Sequence, residues 1–249
     1  MTDSNDNNLV GDWVIEPIPP NDAGQAFYLA EYKPFRLAAL KQDPEAFGST
    51  YAREAAFPDD TWLQRLGNPR IKTFVAVRRH DRRILSAVSL VGPMPHAGQT
   101  VSNPTQALLS QTASSGHGSS STSTSDGCKA SGEGKRREEI EEGEHRHAND
   151  GDDAPLLLYQ NTGVYTRPEA RGKGLGIKLM ATAVECARQE ARRTRQQCQL
   201  GVEVYKANQA AINFYRKCGF EVKGSKVAEE PDDDKNRPEF CMYYKDLLF

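Results

Sequence analysis

The chain has 249 residues, 32 Lys+Arg against 34 Asp+Glu, and a formal net charge of −2. That balance argues against a dedicated polyanion binder, and no apolar run approaches the roughly 20 residues needed to span a bilayer; neither nucleic acid nor membrane is expected as a partner. Hydrophobic residues make up only 37% and the mean hydropathy is −0.68, below the roughly 45–50% apolar usage of ordinary domains, so one stretch dilutes a normal domain or the whole chain is weakly hydrophobic.

The first residues, MTDSNDNNLV, lack the basic and apolar regions of a secretory signal. The five cysteines (Cys128, Cys186, Cys198, Cys218, Cys241) are odd in number, widely spaced and never CxxC. Both points suit reduced thiols and a cytoplasmic location.

In chain order, residues 1–12 read as a flexible N-terminus and WVIEPI (13–18) as a short strand. Asn21 and Asp22 cap a helix carrying Phe27, Leu29 and Ala30. Helical character resumes over Phe35–Leu40 after Pro34. PDDTWLQRLG (58–67) is a helix with acidic residues at its start and Gly at its end. KTFVAVRR (72–79) and ILSAVSLVG (84–92) alternate as a hairpin around HDRR.

The dilution is localised to 97–153. SSGHGSSSTSTSDG (114–127) cannot bury enough apolar surface to offset ordering, and KRREEIEEGEHRH (135–147) has no apolar stripe to dock. This stretch is expected to be a disordered low-complexity insertion within one domain spanning 13–249. Its His145 and His147 are not expected to bind metal, and KRR (135–137) is too short for a convincing nuclear signal.

After the insertion, LLLYQNTGVYT (156–166) reads as a strand and about Gly174 to Arg195 as a long helix with Leu175, Leu179, Ala183 and Cys186 or Ala187 on one face. CQLGVEVY (198–205) is a strand, NQAAINFYRKC (208–218) a helix stopped by Gly219, and FEVKGS (220–225) and EFCMYYKDL (239–247) close the sheet. The crossover helix predicts that strands 156–166 and 198–205 are parallel. The fold class is mixed α/β.

The segment TRPEARGKGLGIKLM (166–180) places Arg171, Gly172, Lys173, Gly174, Leu175 and Gly176 between strand and helix. Glycines allow close backbone approach, and the first helical turn presents free N–H groups at a positive dipole end. Such a loop suits a pyrophosphate, yet it is neither GxxxxGK[ST] nor GxGxxG. Further on, VEVYKANQAAINFYRKCGFEV (202–222) carries Asn208, Ala211, Tyr215, Gly219 and Phe220 as N-x-x-A-x-x-x-Y-x-x-x-G-F.

The first spacing, Arg-x-x-Gly-x-Gly, resembles the acetyl-CoA loop of the GCN5-related N-acetyltransferases (GNAT), and 202–222 resembles the second half of that family's core. FRLAALKQDPEAFGST (35–50) with Trp62 and Leu66 resembles its acceptor-side helices. The resemblance covers most of the chain outside 1–12 and 97–153. It implies a GNAT-like acyl-CoA N-acyltransferase fold: a mixed, mostly antiparallel sheet with splayed parallel central strands, flanked by helices. It implies acetyl-CoA as acetyl donor, the pantetheine on the backbone of Val164 and Thr166, and the pyrophosphate on the amides of 171–176. Arg171 and Lys173 would add charge or be merely solvated, and Asn208 would contact the cofactor, cap a helix, or both.

On the same resemblance, Tyr215 is the general acid that protonates the departing thiolate, its alternative being a packing role beside Phe214. Direct attack by an amine in a ternary complex is implied, without a metal. No base is identified. Glu203 alternates with Val202 and Val204 and so can face away, Tyr159 and Gln160 are poor bases, and Glu54 lies in the acceptor-covering region. A buried filler role is expected of Cys218. The competing reading is a non-catalytic acyl-CoA-binding or scaffold protein. The acceptor and the oligomeric state are not legible.

Overall fold

The computed structural model describes residues 12–94, 156–226 and 239–244. The expectations placed on 1–11 and 97–153, including His145, His147, the Ser/Thr tract and KRR, lie outside the described residues.

Among the described residues, seven strands form one sheet: β1 (Trp13–Pro17), β2 (Ile71–Arg78), β3 (Ile84–Met94), β4 (Leu157–Thr166), β5 (Cys198–Tyr205), β6 (Phe220–Lys226) and β7 (Glu239–Tyr244), ordered β1-β2-β3-β4-β5-β7-β6. All neighbours are antiparallel except β4 and β5. The parallel pair needs a crossover, which is supplied by α5 (Leu175–Thr194). The other helices are α1 (Asp22–Phe27), α2 (Lys33–Gln42), α3 (Tyr51–Ala55), α4 (Asp59–Gly67) and α6 (Gln209–Lys217).

Strand alternation divides the core. Phe74, Ala76, Val88, Leu200, Val202 and Val204 pack with Leu175, Leu179, Met180, Ala183, Ala187 and Ala191 of α5. Val75, Val77, Ala87 and Tyr165 pack with Tyr28, Phe35, Leu40, Trp62 and Leu66 on the opposite face. On α5 it is Ala187, not Cys186, that is fully buried. At about 25 cal/mol per Å² of apolar surface, each buried Leu or Phe contributes roughly 1.5–3 kcal/mol.

The N-terminal helices depart from expectation. Asn21 caps α1, its side chain accepting from Gly24 N at 2.9 Å. The chain then continues as a π-turn (Tyr28–Tyr32) directly into α2, so Pro34 does not interrupt the helix. Lys33 N–H bonds Tyr28 O, five residues back. That widening takes up the missing N–H and the ring clash that proline brings to a regular α-helix. The short α3, capped by the Thr50 side chain at Arg53 N, was not foreseen.

Among the described residues, no helix is long and apolar enough to cross a membrane, and no group of three or more His, Cys, Asp or Glu side chains could hold a metal.

Candidate active site

The β4–β5 ladder ends at Asn161↔Val202. Beyond it β4 continues to Thr166 along β3, through a register shift between Ala87 and Ser89 at which Gly163 takes φ +63°. The far edge of β4 beyond Asn161 therefore runs without a β5 partner, and a cleft opens between the two strands.

A cavity of about 1300 Å³ occupies the cleft. Its lining includes Val164, Thr166, Arg171, Gly172, Gly174, Leu175, Gly176, Asn208 and Tyr215. Lys173 is exposed and is not among the lining residues, so nine of the ten sequence-derived positions converge and one does not.

Gly172 and Gly174 have φ +77° and +76°, and a Cβ at either would meet no atom within 4 Å. Their backbone thus turns in the left-handed region with open space beside it. Gly174 caps α5 without a side chain. The first intrahelical bond runs from Lys178 N to Gly174 O, leaving the N–H groups of Leu175, Gly176 and Ile177 without acceptors in the helix. Gly176 serves a different end: a Cβ there would sit 3.0 Å from the Phe214 ring, so its absence lets α6 approach the first turn of α5.

Arg171 does not extend freely over the loop. Its Nε donates to Thr166 O at 3.0 Å and its Nη2 to Asp43 Oδ2 at 2.7 Å, with the guanidinium over the Tyr165 ring. Asn208 caps α6, accepting from Ala211 N at 3.0 Å through Oδ1. Its amide nitrogen is not used by the cap, so the capping and ligand-binding readings are compatible.

Tyr215 is buried between Phe214 and Phe220, both edge-on at 5.3 and 6.0 Å between centroids. Burial, with a small contribution from Cys218, pushes its phenol well above the ordinary value near 10. Burial also raises the Cys218 thiol to about 11, which keeps it protonated, but the side chain is half-buried rather than the buried filler expected.

A second cavity, of about 190 Å³, shares Ala46, Val164, Tyr205, Asn208, Ala211 and Tyr215 with the first. Its lining adds Arg36, Arg65, Glu54, Asn161 and Glu203. Glu203 lines this cavity together with its neighbours Val204 and Tyr205. Gln160 also lines it, whereas Tyr159 packs in the α5-side core. Glu54 is 2% exposed and takes a paired hydrogen bond from Arg36 (3.1 and 2.9 Å), with Arg65 at 3.6 Å. Burial pushes this carboxyl up, but Arg36, Arg65 and Ser49 outweigh burial and hold it below the usual range. Glu54 is therefore committed to an ion-paired structural role, which removes it from the candidate bases.

Asp43, Tyr205, Arg36 and Asn161 were not singled out from sequence. Asn161 left little local signal, being one of three consecutive polar residues, Gln160, Asn161 and Thr162, within β4. Arg36, Glu54 and Arg65 meet from three separate helices, which no spacing shows.

Residues 137–222 match the sequence profile of the acetyltransferase (GNAT) domain. Over 81 residues the chain is 32% identical to the L-methionine sulfoximine/L-methionine sulfone acetyltransferases of Pseudomonas aeruginosa and Pseudomonas paraeruginosa. That match covers 31% of this chain and 44% of theirs, so the chain spans less than half the length of these curated relatives. Among solved structures, Arabidopsis thaliana NAA60 in complex with acetyl-CoA superposes with a TM-score of 0.53 at 10% identity, covering 93% of this chain and 97% of that one. Salmonella typhimurium yncA, solved with its cofactor acetyl-CoA, gives 0.51 at 14% identity over 93% and 92%. Residues 137–222 thus carry the sequence pattern of the acetyltransferase (GNAT) domain, and the chain shares the fold of these acetyl-CoA-bound structures.

Proposed function

We propose that the protein is an acetyl-CoA-dependent N-acetyltransferase acting on an amine by direct attack in a ternary complex. The observation that carries this reading is the joining of a long cavity, floored by open glycines and free helix N–H groups, to a small polar cavity, with Tyr215 lining both.

The residues fit the cosubstrate. The amides around Gly172, Gly174 and Leu175–Ile177 suit a diphosphate at a helix N-terminus. The β4 edge at Val164 and Thr166 offers backbone groups to an extended amide-bearing arm, in the manner of an added strand. Arg171 and the Asn208 amide nitrogen line the same wall. Bound acetyl-CoA supplies an activated acetyl thioester.

Tyr215 holds its proton at Oη throughout the neutral range, as a donor to a departing sulfur must. Glu203 lines the small cavity, and it is the side chain we assign to receiving the amine, directly or through water. We read 13–249 as a single domain that carries 97–153 between β3 and β4. The free thiols of Cys186, Cys198 and Cys218 support a cytoplasmic location.

The test is calorimetric titration with acetyl-CoA, followed by thiol release across a panel of amines. Saturable binding with acceptor-dependent CoA release is expected; no heat at millimolar acetyl-CoA would end the proposal.

A further inference from the structure

Six buried side-chain nitrogen or oxygen atoms lack a hydrogen-bond partner among the described residues, and four of them belong to residues that line the 190 Å³ cavity: Arg36 Nη1, Arg65 Nε, and both Nδ2 and Oδ1 of Asn161. A buried polar atom left unpaired costs about 1–3 kcal/mol, more when charged. Such groups are rare in folded chains, and their clustering points to a ligand.

Their chemistry is specific. Arg36 spends Nε and Nη2 on Glu54 and keeps Nη1. Asn161 keeps a donor and an acceptor side by side on one planar amide. Arg36 and Arg65 bring their unpaired guanidinium nitrogens to the cavity lining. An anion complements the arginines and the Asn161 Nδ2 donor. An N–H donor on the same small molecule complements Asn161 Oδ1.

A lone amine satisfies only the second set, and a diamine opposes the first. A volume of about 190 Å³ falls below the roughly 300–1,000 Å³ of drug-sized pockets and suits a molecule of a few heavy atoms.

We infer that the acceptor is a free α-amino acid, its carboxylate recognised by Arg36, Arg65 and Asn161 and its amine directed toward the shared wall at Tyr215. Ala46, Val164, Tyr205, Asn208, Ala211 and Tyr215 form that wall, so the amine end faces the cosubstrate and the carboxylate lies deeper. This rests on the acetyltransferase reading and deepens it by naming the acceptor class.

The experiment is calorimetry on the full chain saturated with CoA, which has no acetyl group to transfer, so binding is read without turnover. The twenty L-amino acids are titrated beside their amides and decarboxylated amines. At least one amino acid should bind tenfold or more tightly than its amide, the size expected for a lost charged hydrogen bond. Asn161→Asp, close in shape but anionic, should erase that preference with unchanged CoA affinity. Arg36→Lys, which keeps the charge but loses the fork, should weaken amino-acid binding while leaving the amides unaffected.

Amides or decarboxylated amines binding as tightly as amino acids would overturn the assignment. So would CoA binding with no amino acid bound. Failure of CoA itself to bind is read in the first titration and refutes the acetyltransferase reading instead.

Discussion

Arg171 and Asp43 meet across the large cavity, Nη2 to Oδ2 at 2.7 Å, tying the loop before α5 to the end of α2. The side chains are 50% and 37% exposed, so the pair contributes little to stability, about 0–1 kcal/mol. Its consequence is electrostatic. It sets a carboxylate beside a cavity suited to a polyanion and draws an arginine toward it. Asp43→Ala should therefore tighten acetyl-CoA binding by about two- to fivefold at low salt, with the gain shrinking at high salt. Calorimetry at two ionic strengths measures both effects. A dissociation constant that is unchanged or weaker at low salt removes the argument.

Tyr215 belongs to both cavities and is held protonated by burial. Tyr215→Phe keeps the ring and its edge-on packing while deleting the proton. The expected result is a fall in kcat of about 10²–10⁴, with acetyl-CoA affinity within about threefold of the parent. Since the phenol titrates well above 10, it should impose no alkaline limb on the rate below about pH 10. Equal kcat in the two proteins would return Tyr215 to the packing role and strengthen the non-catalytic alternative.

The two halves of the site were unequally legible in the sequence. Gly172, Gly174, Asn208 and Tyr215 sit in two short segments where spacing, capping and helix periodicity act locally, and the fold brings those segments together much as their order implied. The parallel β4–β5 pair followed from the crossover helix. The small cavity is lined from α2, α3, α4, β4 and β5, so the Arg36–Glu54–Arg65 cluster depends on tertiary packing. Pro34 reads locally as a break, but the widened π-turn before it, with Tyr28 stacked on Tyr32, carries the helix through. Alternation with Val202 and Val204 does not reveal that Glu203 and Val204 both reach the small cavity.

Glu54 is buried with its carboxylate below the usual range. Glu54→Gln leaves two arginines against a neutral amide, and losing one partner of a buried ion cluster costs about 3–5 kcal/mol. The pH dependence follows from the direction of the shift. A carboxyl whose folded value is depressed contributes its stability above the unfolded value of 4.5 and loses it as pH falls through the folded value. The gap in unfolding free energy between parent and Glu54→Gln should therefore be full at pH 6–7 and narrow as pH drops below about 4.5. Denaturant melts across that range give the gap directly. A gap independent of pH would mean that Glu54 is not the depressed carboxylate.

Met94 and Leu158 form the last pair of the β3–β4 ladder, and Leu157 pairs with Cys198 at the joined end of the parallel strands. The segment between β3 and β4 is thus attached where β4 and β5 are still together, a ten-residue strand or roughly 30 Å from the glycine loop. Deleting 98–152 should leave acetyl-CoA affinity within about twofold, because neither the loop nor the splayed edge touches the attachment points. The family match begins at residue 137, so a second variant lacking only 98–136 retains every matched position. If both variants fold and bind alike, the segment is not needed for the cosubstrate site. If only the shorter deletion folds, residues 137–152 belong to the domain proper, and its boundary moves N-terminal to β4. A change in acceptor turnover with unaltered acetyl-CoA binding would instead show that the segment acts on the small cavity despite its distant attachment.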